Sequence, residues 1–140
     1  MRTSGHSRKL AVDANVILSA VAGKAALRVF LDDNIEFVTT HFNIEEVREY
    51  LGVIAAKYGF SEEILESQLR LLPLKVYPGS FYEDFLQKAA KRLVGRDSDD
   101  IELLALALRL RVFVWSNDRD FRTSGTKVFT TARLLKLLKA

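Results

Sequence analysis

Apolar positions along the chain fall into short β-rich runs separated by stretches of helical rhythm. Leu10–Val12 is an apolar run stopped by Asp13 and predicts a short buried strand. Val16–Val21 and Ala25–Leu31 read as helices, and Ile35–Thr39 as a β-rich stretch that opens into a helix around Asn43–Tyr58. In that helix Ile44, Val47, Leu51, Ile54, Ala55 and Tyr58 recur at helical spacing and form an amphipathic stripe, which Gly59 ends. Ser61 caps a further helix with Glu62 and Glu63 in its first turn, running to Leu72 ahead of Pro73. Lys75–Tyr77 predicts a short strand and Tyr82–Val94 a helix closed by Gly95. Asp99–Arg109 is apolar on nearly every side, as a central buried helix must be. Val112–Trp115 and Lys127–Phe129 predict strands, and Thr131–Lys139 a closing helix. Strands separated by helices predict βαβ units, hence an α/β fold with a parallel sheet covered on both faces.

Composition narrows the classes. The chain has 140 residues, 49% apolar and 28% charged, with 7 Gly and 2 Pro, enough apolar surface for one core and no sign of a disordered chain. One domain over residues 1–140 is expected, the first eight forming a flexible N-terminal segment. No Cys and two His exclude disulfides and thiolate zinc sites. No apolar run reaches the roughly 20 residues of a membrane span, and MRTSGHSRK lacks the apolar core of a signal peptide, so a soluble, cytoplasmic protein without a membrane partner is expected. A net charge of +3 says little by itself about nucleic acid.

The acids are more informative. In open parallel sheets ligands bind beyond the carboxyl ends of the strands. Asp13 follows the first strand directly, and Asp118 stands three residues past Trp115. Each also has an ordinary reading: Asp13 as a helix cap, with Asn15 as a turn or cap residue, and Asp118 as the cap of a short turn through Phe121. In Arg96-Asp97-Ser98-Asp99-Asp100, Asp99 as N-cap would put Glu102 at N3 and form a capping box. Asp100 is then left over in the first turn of a buried helix, while Asp97 could pair with Arg96. On the Asn43–Tyr58 helix, Glu45, Glu46 and Glu49 make a solvated face. Glu46 lies nearer the apolar stripe than Glu49, but its margin over Glu45 is only about 20°, so spacing does not choose between them. Were such acids to converge, two carboxylates ~4 Å apart would repel by roughly 4 kcal/mol at an effective dielectric of 20. Convergence therefore requires protons or a cation, and an all-oxygen ligand set favours Mg²⁺ or Mn²⁺. A site of that kind suits phosphodiester hydrolysis.

The stretches VDANVILSA (Val12–Ala20), FVTTHFNIEEVREYL (Phe37–Leu51), DSDDIELLALAL (Asp97–Leu108) and VWSNDRDF (Val114–Phe121) occur in an order that resembles PIN-domain proteins, a family that includes VapC-type toxin ribonucleases. The resemblance implies a three-layer α/β/α sandwich with a central parallel sheet, and a Mg²⁺- or Mn²⁺-dependent endoribonuclease acting on single-stranded RNA. It assigns catalysis and metal binding to Asp13, Glu46, Asp100 and Asp118, choosing Glu46 over Glu45. Asn15, Asp97 and Ser116 become auxiliary residues. Trp115 departs from the family, which carries a smaller aliphatic residue there, and is expected to fill core volume. Arg96 and Arg119, next to site motifs, are the leading phosphate contacts, ahead of Arg8, Lys9 and Arg122. Lys88, Lys91 and Arg92 share a helix face that an Asp84–Lys88 pair would explain. The resemblance also implies an antitoxin partner covering the acidic pocket and a homodimer. Two rivals are a non-catalytic RNA- or protein-binding module of the same fold and a phosphatase with Asp13 as nucleophile. The second wants another Asp where Asn15 stands.

Overall fold

In a computed structural model that describes residues 8–95 and 98–139, with the backbone alone at Asp99, Asp120, Arg122 and Lys139, five short strands form one parallel sheet. They are β1 (Arg8–Val12), β2 (Ile35–Thr40), β3 (Leu74–Tyr77), β4 (Phe113–Trp115) and β5 (Val128–Phe129), in the order β3-β2-β1-β4-β5. The sequence placed the start of β1 at Leu10, but pairing with β2 begins two residues earlier, Arg8 lying opposite Ile35. Of the N-terminal segment expected over residues 1–8, all but Arg8 lies outside the described residues.

Alternation along the strands sends side chains to two separate cores. Leu10, Val12, Ile35, Phe37 and Trp115 face helices α1 (Ala14–Val21), α2 (Ala26–Phe30), α3 (His41–Tyr58), α4 (Glu62–Leu71) and α8 (Thr131–Lys139). Ala11, Val38 and Val114 face α5 (Gly79–Tyr82), α6 (Leu86–Arg92) and α7 (Ser98–Leu110). Three layers result, as expected. Leu103–Ala107 of α7 are all buried, which explains a helix apolar on every side.

The helix ends follow local chemistry. Thr40 Oγ1 accepts from the Asn43 amide (2.9 Å) and so starts α3 two residues ahead of the expected Asn43. Gly59, at φ +71°, ends α3 in a left-handed cap that L-residues with a Cβ rarely adopt. Ser61 caps α4, its Oγ accepting from the Ile64 amide at 3.4 Å.

Two expectations fail for tertiary reasons. The helix predicted over Tyr82–Val94 is broken into α5, a 3₁₀ turn over Glu83–Phe85, and α6. Tyr82 leaves the helical region (φ −122°, ψ 11°) so that its ring is wholly buried and its hydroxyl donates to Glu102 on α7. The capping box fails with it: α7 begins at Ser98, ahead of the expected cap at Asp99, and the Glu102 carboxylate accepts from Tyr82. Asp84 lies in the 3₁₀ turn, and among the described residues no ion pair joins it to Lys88.

At the amino end of the sheet an apolar pocket of about 560 Å³ lies between Leu10, Ile35, Phe113 and Leu137, rimmed by Arg8 and Arg111. Arg111 closes α7 at φ 60°, where the Val112 amide donates to Ala107 (3.0 Å). No helix among the described residues is long and apolar enough to cross a membrane.

Candidate active site

The strand order reverses at β1: the chain moves outward through β2 and β3, then returns to pair β4 with the other side of β1. At such a switch point no helix connects the two neighbouring strands directly, so a crevice opens beyond their carboxyl ends. Asp13 and Ser116 are the residues that come directly after β1 and β4 there.

Asp13 takes the N-cap position of α1 with an extended backbone (φ −69°, ψ 149°), yet its side chain makes no capping hydrogen bond. Its carboxylate instead accepts from the Ser116 hydroxyl at 2.7 Å. Ser116 Oγ in turn accepts from the Asp118 amide at 3.0 Å, so one buried hydroxyl links both acids. Asp13 is 6% exposed. Burial pushes its pKa up, and the Asp118 carboxylate adds to the rise; the Ser116 hydroxyl and the amides of Ala14 and Asn15 oppose it without cancelling it. Asp13 thus holds the cap position of its ordinary reading, with the Ala14 and Asn15 amides acting on its carboxylate, but its side-chain hydrogen bond goes to Ser116; Asn15 is exposed on the first turn of α1.

The floor beneath is rigid. The Asp13 amide donates to the Trp115 carbonyl (3.0 Å), and Thr39 Oγ1 donates to the Val12 carbonyl (2.9 Å), tying three strand ends together. Trp115 is fully buried with ring centroids 4.9 Å from Phe30 and 5.7 Å from Phe37. Its indole donates to Thr131 Oγ1 (3.0 Å), and the Thr131 amide donates to Asn117 Oδ1 (2.8 Å). Trp115 therefore fills core volume, as expected, and also fixes the start of α8 beside the site.

Topology carries the other two acids to the same edge. A helix that comes after a parallel strand starts at its carboxyl end, which places Glu46 in the second turn of α3. A helix that leads into one ends at the amino end, which places Asp100 in the first turn of α7 at the carboxyl edge. The helices α3 and α7 touch, and α7 also packs on β1, β2 and β4. Glu46 and Asp100 are each half-buried; Glu45 is exposed and pairs with Arg48 (3.5 Å), and Glu49 is exposed. Asp118, also half-buried, opens a 3₁₀ turn over Arg119–Ser124, its carbonyl accepting from the Phe121 amide (3.3 Å).

Asp13, Ser116 and Asp118 are thus joined by named contacts. Among the described residues no three carboxylates or imidazoles come close enough to hold one ion. The donor chemistry still fits a hard cation, because Mg²⁺ keeps several of its waters and takes only one or two protein carboxylates. Asp13 with Asp118 is such a pair, and a cation between them would offset both the burial and the repulsion that raise Asp13.

Arg119 is exposed and lines an open pocket of about 430 Å³ together with Ser116 and Asp118. Arg96 and Asp97 lie outside the described residues, as do the side chains of Asp120 and Arg122. Arg8 and Lys9 are not phosphate contacts for this site: they stand at the amino end of β1, the edge opposite, and Lys9 pairs with Glu36 (4.0 Å). Arg92 is held by the Ser124 carbonyl (3.2 Å). Arg133 and Lys136 on α8, not singled out by sequence, line the same pocket as Arg119. Their signal was a carboxylate-free C-terminal stretch.

A family model described as PIN domain matches residues 11–139. None of the curated proteins searched matches the chain. Among solved structures it is similar to PAE2754 from Pyrobaculum aerophilum, with a TM-score of 0.71 and 16% identity over 96% of this chain and 92% of that one. It is also similar to VapBC2 from Rickettsia felis bound to a DNA fragment from their promoter (TM-score 0.65, 11% identity, 87% of this chain and 98% of that one). A toxin–antitoxin complex from Klebsiella pneumoniae gives a TM-score of 0.64 and 17% identity over 87% of this chain and 97% of that one.

Proposed function

From the premise that the chain belongs to the PIN-domain family, we propose that it is a metal-dependent endoribonuclease that hydrolyses single-stranded RNA at the carboxyl edge of its sheet. The observation that carries this reading is the buried Asp13 carboxylate, raised in pKa beside Asp118 and bridged to that residue's amide by the Ser116 hydroxyl. A buried carboxylate held beside a second acid in a crevice favours a catalytic role over a purely binding one.

In this reading Asp13 and Asp118 hold Mg²⁺ or Mn²⁺, with Glu46 and Asp100 completing the site directly or through water. Once bound, the cation supplies a Lewis acid that stabilises charge developing on a phosphodiester during attack by water. Ser116 positions the Asp13 carboxylate, so that it loses no orientational freedom when it binds. The buried strand ends beneath exclude water from one side of the site. Asn15 and Asp97 remain auxiliaries, and Arg96 and Arg119 orient the substrate phosphates. Two bound divalent ions would take the formal charge from +3 to about +7, which reconciles an acidic crevice with a polyanionic substrate.

We further propose that a small antitoxin covers this crevice and that the chain forms a homodimer. Support for a partner is the apolar surface left exposed on α3 and α4, at Tyr50, Val53, Ile64 and Leu71. The compartment proposed is the cytoplasm. Cleavage of a labelled single-stranded RNA, with Mg²⁺ or Mn²⁺ against EDTA, tests the central reading. Cleavage should need the metal and fall about 10²–10³-fold in Asp13→Asn, the loss typical when one transition-state charge stabiliser is removed. Metal-dependent cleavage at the wild-type rate in that variant would refute it.

A further inference from the structure

The cations of this chain are not spread evenly. Residues 121–140 contain five Lys and Arg and no Asp or Glu, against a net +3 for the whole chain, so the first 120 residues are acidic overall. Several cations elsewhere are occupied: Glu66 ties Arg48 and Arg70, Glu36 pairs with Lys9, and Arg109 lies 4.7 Å over the Phe81 ring. Among the described residues no carboxylate pairs with Arg119, Arg133 or Lys136.

These three side chains converge on one place. Arg133 and Lys136 are three residues apart and therefore share a face of α8. With Arg119 they line the open pocket of about 430 Å³ whose inner wall is Ser116 and Asp118. The start of α8 is fixed there by Trp115 and Asn117 through Thr131, so the groove has a firm wall and a defined direction away from the acids.

We infer that this groove is the track for the nucleic-acid backbone next to the scissile phosphate. Arg119 holds the nearest phosphate, and Arg133 and Lys136 hold those further along α8. The inference rests on the ribonuclease reading above and adds the path of the strand and the residues that hold it. Apart from Val128 and Ala132 the groove is lined by polar and cationic side chains, and it has no aromatic platform among its lining residues, so it binds phosphates and leaves bases unread.

The test measures binding of a fluorescein-labelled single-stranded RNA in EDTA, where no cleavage occurs, by anisotropy across roughly 50–200 mM salt. Arg133→Gln with Lys136→Gln is compared with Lys88→Gln and Lys91→Gln, two exposed lysines on α6 whose loss changes the net charge equally. For single strands each phosphate contact contributes ~0.7 to the salt slope, so the groove variant should lose ~1.4 of slope and about tenfold in affinity at the upper salt value. In cleavage assays its KM should rise with kcat unchanged, while the α6 variant matches wild type. Equal losses in both variants, or no loss in either, overturn the groove; the second outcome is also what a groove serving an acidic protein would give. Cleavage abolished by Asp13→Asn with an unaltered groove variant sinks the groove and spares the nuclease. The reverse pattern, with groove losses but intact cleavage in Asp13→Asn, sinks the Asp13-centred metal site and spares the groove.

Discussion

The two ends of the sheet are built on opposite principles. At the carboxyl end, Asp13, Ser116 and Asp118 form a chain of hydrogen bonds around a carboxylate whose ionisation burial disfavours. At the amino end, Leu10, Ile35, Phe113 and Leu137 surround a pocket with cations only at its rim. The same strands make both. The difference comes from the residues at the two ends of the strands: acids and hydroxyls after β1 and β4, Arg8 and Lys9 at the start of β1, and Arg111 and Val112 before β4. One end spends stability to hold charge where charge is useful, and the other offers apolar contacts alone.

If that contrast holds, damage just below the polar end should cost most. Trp115→Ala removes the ring packed on Phe30 and Phe37 and the bond that fixes α8, and should destabilise by about 3–5 kcal/mol in urea unfolding. A loss below about 1 kcal/mol would mean that the floor of the site is not what holds the strand ends. Next in size is the response to metal. Mg²⁺ or Mn²⁺ at 100 times its dissociation constant should stabilise the protein by about 2.7 kcal/mol, seen as a rise in Tm over EDTA and lost in Asp100→Asn. A rise that survives in Asp100→Asn would confine the ion to the Asp13–Asp118 pair.

The polar end should also show itself in pH. Because the Asp13 pKa is raised in the folded protein, the native state keeps a proton that the unfolded chain has released. In EDTA this contribution to stability is therefore fully present below the ordinary value of 3.8, and it is lost as pH rises through the elevated folded value. Denaturation curves across this window should be flatter for Asp13→Asn, and an unchanged slope would show that the carboxylate is not strained by burial. The smallest effect belongs to the other end. Arg111→Gly should stabilise by up to ~1 kcal/mol, since a left-handed backbone is strained for any residue with a Cβ. Destabilisation there would show that the Arg111 stem over the apolar pocket outweighs its backbone strain.

How much could be read in the sequence depends on the range of the interactions. The parallel α/β layers and the burial of α7 were visible because periodicity and strand–helix alternation are local signals. The acids at the ends of β1 and β4 stood out for the same reason, and the choice of Glu46 over Glu45 required the family pattern. The break at Tyr82 was hidden, because its cause is the carboxylate of Glu102, twenty residues away. The Glu102 capping box failed for that same contact. The sequence makes Ser116 no more than an auxiliary, since a hydroxyl that joins the Asp13 carboxylate to the Asp118 amide cannot be told from a surface serine without the pairing of β4 beside β1. Arg133 and Lys136 carry no local signal beyond their charge on the closing helix, and only the fold brings them into one pocket with Asp118.

The bond from Ser116 to Asp13 bridges 103 positions of the chain. During synthesis β1, β2 and β3 can leave the ribosome and pair while β4 is still inside the exit tunnel. Until β4 pairs beside β1, the nascent chain carries Asp13 without its Ser116 and Asp118 partners. The proposed centre therefore stays incomplete until β4 has been made and paired beside β1.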